Sequence, residues 1–108
     1  PEVPCGAAAN AALAGEGVIS KPASLEPRVS SAVAKLLAGE VDAAIIYKTD
    51  VIVNSKKLRA IEFANQAAAA TTYQTKLLRK SPWGATFMSY LRSKSVLKIL
   101  QSKGFEIK

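Results

Sequence analysis

Histidine is absent from this chain and cysteine occurs once, at Cys5. Together these absences exclude a Cys/His zinc site, a Ser-His-Asp triad, a Cys-His catalytic pair and an internal disulfide framework. No carboxylate pair or nucleophile–base arrangement stands out either, so an enzyme is the least favoured class and no cofactor or directly coordinated metal is expected. Long hydrophobic runs are also lacking. The longest clean apolar stretch, residues 43–47, has the length of a strand and falls far short of the roughly 20 residues that span a bilayer. The chain opens on Pro1 with neither a basic n-region nor an apolar h-region, as expected of a piece processed or trimmed from a longer protein.

What the chain does hold is 108 residues, 49% of them hydrophobic, which is enough for one modest core. Its net charge of +7 is unevenly spread. Residues 1–52 carry four bases against six acids, whereas residues 53–108 carry eleven bases against Glu62 and Glu106. Any electrostatic partner therefore belongs to the second half. Lys76, Arg79, Lys80, Arg92, Lys94, Lys98 and Lys103 read as a solvated face. As a basic module for nucleic acid, residues 53–108 lack aromatic interleaving and any recognised motif, and that reading stays an alternative.

The pattern along the chain is α/β. An Ala-dense helix follows Val3-Pro4-Cys5-Gly6 and ends at Gly15 and Gly17. A loop occupies residues 18–25, and a second helix opens at Glu26-Pro27, carries Val29, Val33, Leu36 and Leu37 on one face, and stops at Gly39. Residues 41–47 read as a strand buried on both faces, broken by Lys48-Thr49-Asp50, with residues 51–53 extended. Residues 59–63 and 73–78 read as further strands, and 64–72 stays ambiguous between helix and extended chain. Trp83, Phe87 and Leu91 recur at helical spacing over 83–92, and a last helix over 95–103 turns Val96, Leu97 and Leu100 inward before Gly104. Trp83, Tyr90 and the Phe residues are expected in the core.

Both N-terminal helices place Pro at the first position and leave the next amides, at Cys5 and Gly6 and at Arg28 and Val29, without intrahelical acceptors. Neither Val3 nor Glu26 is a preferred side-chain cap, and water satisfies such amides in the bland case. Two such termini together with the Tyr47 hydroxyl at a strand end suggest an anion site instead. Cys5 alone reads as a small buried hydrophobe, and Tyr47 alone as a strand end in water.

Val3-Pro4-Cys5-Gly6, Val29 early in the next helix, the string from Gly39-Glu40-Val41-Asp42 to Tyr47-Lys48-Thr49-Asp50, and the tail Phe87-Met88-Ser89-Tyr90-Leu91-Arg92-Ser93 with Gly104-Phe105 occur in an order that resembles the periplasmic molybdate-binding proteins of ABC uptake systems. The resemblance implies a type II periplasmic-binding-protein-like lobe, incomplete, with a C-terminal helix pair. Residues 1–72 would form a second-lobe segment, and 73–108 a crossover strand and the C-terminal helices of the first lobe. It further implies a periplasmic or cell-surface location, molybdate or tungstate as ligand, and a membrane permease as partner. Sulfate is the alternative oxyanion. Carried over by position, the oxyanion-contacting residues are Cys5, Val29 and Tyr47, with Gly6 and Arg28 secondary. Cys5 departs from the family's usual Ala, and the family's two Ser ligands and first half have no counterpart here. The apolar face of the C-terminal helices would then be covered either in a rearranged compact unit or in a homodimer.

Overall fold

The computed structural model describes residues 4–107. Val3, the residue expected just ahead of the first helix, lies outside them. The chain divides into two compact units, Pro1–Thr71 and Thr72–Lys108.

The first unit holds helices α1 (Pro4–Gly15), α2 (Val29–Ala38) and α3 (Lys48–Val53) and a 3-10 turn at Gln66–Ala69. Pro4 opens α1, where its fixed φ suits a first helical residue and its missing N–H costs nothing. The alanines that follow have the highest helix propensity of any residue. The helix closes with the Gly17 N–H donating to the Ala14 carbonyl at 3.1 Å and the Val18 N–H to the Leu13 carbonyl at 2.9 Å. α2 ends the same way. Gly39, at φ 73°, donates to the Leu36 carbonyl, and Glu40 donates to the Lys35 carbonyl. This closure needs a left-handed residue, which only glycine adopts without steric cost, so the expected stop at Gly39 is where the helix ends.

α1 packs on the 3-10 turn, so the two alanine-rich runs of the sequence meet. Small side chains permit this approach: Ala12 is 1% exposed, and a Cβ on Gly15 would sit 3.8 Å from the Ala68 methyl. The Asn65 N–H donates to the Glu16 carboxylate at 3.0 Å, fastening the turn to the end of α1. The ambiguity over residues 64–72 thus resolves into a single 3-10 turn, anchored by packing rather than by its own propensity.

Three expectations for this unit need correction. α2 begins at Val29 and not at Pro27. Arg28 is its extended N-cap, with φ −137° and ψ 143°, and its carbonyl accepts from the Ser31 and Ala32 amides. The Glu26 side chain is taken up by Ser24 and Lys35, which pins the segment before the helix to α2 itself. Residues 48–53 are helical rather than a break followed by extended chain, because Asp50 and Asn54 satisfy the two ends of that short helix. The segments 41–47 and 59–63 form no strand, and among the described residues neither does 73–78 in the second unit. β-propensity marks a side chain that fits a pleated, half-buried surface, but a strand exists only where a second segment completes its ladder. The described residues therefore display the helical half of the expected α/β pattern alone.

The second unit holds α4 (Pro82–Leu91) and α5 (Lys94–Ser102), which pack on each other. Ser81 caps α4 by accepting the Gly84 N–H at 2.9 Å, and Ser93 caps α5 by accepting the Val96 N–H at 3.4 Å. Gly84 also makes room for Leu77, whose Cδ1 would lie 2.5 Å from a Cβ there. α5 ends on Gly104, at φ 93°, with the Phe105 N–H reaching the Leu100 carbonyl. The Tyr73 and Phe105 rings meet edge to face at 5.9 Å, joining the entry of the unit to its exit.

Val96 is buried, with Leu97 and Leu100 half-buried beside it, as the spacing in α5 predicts. α4 meets the expected stripe at Leu91 but not at Trp83 or Phe87. Gly84, Met88 and Leu91 are its less exposed positions, whereas Trp83 is 85% exposed and Phe87 and Tyr90 more than half exposed. Helical spacing identified the apolar residues, but among the described residues of this unit α5 is the only helix packed on α4, and one helix covers a single stripe.

Candidate functional site

The first turn of α1 contributes the amides of Cys5 and Gly6, which have no intrahelical acceptor at that position. The Cys5 side chain is half-buried. Tyr47 is itself the N-cap of α3, held extended at φ −75° and ψ 150°. The two residues singled out from the sequence stand on the first helix and just ahead of the third.

Electrostatics at this junction are set by three groups. Burial holds the Cys5 thiol above its usual pKa, the hydrogen bond with Tyr47 pulls it down, and the negative charge of Asp50 adds to the rise. The net effect keeps the thiol neutral at physiological pH. Asp50 reaches back to accept the Tyr47 N–H at 3.3 Å, while the Asp50 N–H donates to the Tyr47 carbonyl at 3.0 Å. Beside it, the Lys48 ammonium pairs with Glu62 at 3.2 Å, and that bond together with one from Gln66 lowers the Glu62 pKa.

Val29 and Arg28 are placed by a different element. Val29 is the first residue of α2, and the Arg28 side chain makes no cap bond to that turn. The Ser31 amide of the first turn bonds to the Arg28 carbonyl, whereas the Val29 amide, at the first position, has no intrahelical acceptor. Val29 stands at the head of its own helix, with Arg28 as the extended N-cap before it.

Asp50 is the residue that sequence reasoning missed. Its signal was present as an acid three positions after a helix-capping residue, the spacing of a capping box. Tyr at the cap position hid it, since the familiar pattern has Ser or Thr there.

Two surface depressions, one lined by Leu77, Lys80, Ser81, Pro82 and Ala85 and the other by residues 53–57, include none of Cys5, Val29 and Tyr47. Among the described residues no three of Cys, Asp and Glu gather as metal ligands, and no helix is long and apolar enough to cross a membrane.

The chain is similar to the molybdate-binding protein ModA of Mycobacterium bovis and to that of Mycobacterium tuberculosis, each 26% identical over 108 residues. The match covers 97% of this chain but 41% of either relative, so the chain spans less than half the length of the curated proteins it matches. No solved structure is a significant match. The family model described as bacterial extracellular solute-binding protein matches residues 1–106. With almost its entire length covered by that match, the chain belongs to the bacterial extracellular solute-binding proteins.

Proposed function

We propose that this chain is part of the substrate-binding component of an ABC uptake system, and that it contacts molybdate or tungstate through the backbone amides of Cys5 and Val29 and the hydroxyl of Tyr47. The observation that carries this reading is the place of Cys5 in the first turn of α1, where an amide has no intrahelical acceptor, together with a Tyr47 side chain that acts on the Cys5 thiol by hydrogen bonding. Family membership and the mycobacterial molybdate-binding relatives support it. The protein would act outside the cytoplasm and deliver its ligand to a membrane permease.

The chemistry suits a fully deprotonated tetrahedral dianion. The backbone amides can only donate and the phenol adds one further proton, so the set favours a ligand whose oxygens all accept. Bonds to a charged acceptor are roughly twice as strong as neutral ones, and a donor left unpaired in a closed site is costly. The raised thiol pKa serves the same end, because a thiolate at Cys5 would repel the ligand. Discrimination against sulfate, of equal charge and shape, then rests on size.

Equilibrium dialysis of the intact protein against molybdate, tungstate, sulfate and phosphate tests the reading. Retention of molybdate and tungstate in preference to the others is expected. Absence of molybdate retention at micromolar protein refutes it.

A further inference from the structure

The chain leaves 8990 Å² of its surface open to solvent, whereas an unfolded chain of 11.4 kDa exposes about 16,500 Å². Folding therefore buries less than half of that surface, and even a domain of about 60 residues buries about 60%. At that fraction the chain would expose about 6,600 Å², so about 2,400 Å² is uncovered beyond what self-contained folding leaves. Among the described residues the buried apolar side chains are Ala12 and Val96.

In the second unit the uncovered surface has a definite form. Trp83, Phe87 and Tyr90 follow at spacings of four and three residues on α4, which places them in one stripe along the helix, and all three are exposed. α4 itself holds no charged residue. Residues 72–108 carry eight bases against Glu106 alone, and exposed cations border the helix at both ends, Arg79 and Lys80 ahead of it and Arg92 and Lys94 beyond. An apolar stripe bordered by cations fits a surface that is apolar at its centre and acidic at its rim. A second copy does not offer one, because a two-fold interface is self-complementary and would bring the cations of both copies together. Scale separates the remaining partners. A standard interface covers only about 800 Å² a side, whereas the uncovered area here is that of one side of an obligate interface, a core divided between two pieces. The relatives, of which this chain spans less than half, have the further length to supply the other piece.

We propose that the Trp83–Phe87–Tyr90 stripe of α4 docks on a further segment of the same solute-binding polypeptide, whose facing surface is apolar with a rim of carboxylates. The proposal rests on the reading of this chain as part of a substrate-binding component, and is independent of molybdate as its ligand.

The experiment is hydroxyl-radical labelling of the intact solute-binding protein, read by mass spectrometry on the tryptic peptide of residues 81–92, which holds all three aromatic residues. Trp83, Phe87 and Tyr90 are expected to label several-fold more slowly in the native than in the urea-unfolded protein, and equally slowly after about a hundredfold dilution. Labelling at the unfolded rate overturns the proposal. Protection that disappears on dilution assigns the stripe to a second copy and overturns it too. The rim is tested by combining Arg79→Glu with Lys80→Glu, which is expected to lower the unfolding temperature of the intact protein more at low salt than at high salt. No loss, or an equal loss at both, overturns the acidic rim, and labelling of the unsubstituted protein decides alone should that variant not fold. Protection of the stripe in a protein that retains no molybdate upholds the docking and refutes the oxyanion reading instead.

Discussion

Tyr47 and Asp50 brace each other at the head of α3: the Tyr47 N–H donates to the Asp50 carboxylate at 3.3 Å, and the Asp50 N–H donates to the Tyr47 carbonyl at 3.0 Å. Hydrogen bonding from the Tyr47 side chain pulls down a Cys5 thiol pKa that burial and Asp50 otherwise raise. Removing the donor by Tyr47→Phe should therefore move the Cys5 titration further up. Alkylation rate at Cys5 against pH measures this, and an unchanged or lowered midpoint would show that the bond is not maintained in solution.

Oxyanion binding should depend on pH with a definite sign. The Cys5 pKa lies above the ordinary thiol value of about 8.5, so the site gains no thiolate charge at neutrality. Molybdate affinity is expected to be flat from about pH 6 to 8 and to decline as pH rises through the Cys5 pKa. Cys5→Ala should abolish that alkaline decline and leave affinity at neutral pH within about two-fold, because the role given to residue 5 is a backbone one. A decline that persists in Cys5→Ala would assign it to another group.

Much of the helical frame was legible in the sequence because its signals are local. Gly39 and Gly104 end helices through a backbone conformation that glycine favours, and Ser81-Pro82 opens α4 through a cap and a first-position proline. Strands were not legible in the same sense. Residues 43–47 have the composition of a buried strand, yet pairing depends on partners remote in sequence, and composition does not specify them. The orientation of α4 failed for a related reason. Trp83 and Phe87 lie at the correct spacing for an inward stripe, but which stripe is covered depends on the neighbour, here the helix α5. Of the proposed site, Cys5, Val29 and Tyr47 are residues that motif order singles out. Asp50 is not among them, because its partner is the backbone of a tyrosine.

Helix closure predicts stability effects in the first unit. Gly39→Ala forces a side chain into left-handed backbone and should cost about 1–2 kcal/mol. The cost is one of backbone conformation alone, since no atom lies within 4 Å of the added methyl. Chemical denaturation reads this directly. A neutral or stabilising result would mean that α2 does not end in the closure described.

The second unit rests on its caps and one buried side chain. Ser81→Ala and Ser93→Ala should each cost about 1 kcal/mol by freeing the Gly84 and Val96 amides. Val96→Ala should cost about 1–3 kcal/mol through lost burial and the cavity left behind. Denaturation of the three variants under one protocol checks the order. Equal loss from Val96→Ala and from Lys98→Ala, a solvent-facing change on the same helix, would contradict the packing.

At the surface, Lys35 and Ser24 hold the Glu26 pKa below the usual carboxylate value, and Glu26 raises that of Lys35. What this pair contributes is present above the ordinary Glu pKa and is lost as pH falls through the lowered one. Carboxyl titration by NMR should place Glu26 below an ordinary surface glutamate. Lys35→Ala should return it to the ordinary value, and no change on that substitution would show that the pair does not form in solution.

Equilibrium dialysis of molybdate against the intact protein and its Tyr47→Phe variant is the most direct test of the account. Loss of one hydrogen bond to a charged oxygen, worth about 1.5–3 kcal/mol, predicts roughly 10- to 150-fold weaker retention in the variant with no change in fold. Equal retention by the two proteins, or none by either, would contradict the assignment of Tyr47 as a ligand donor.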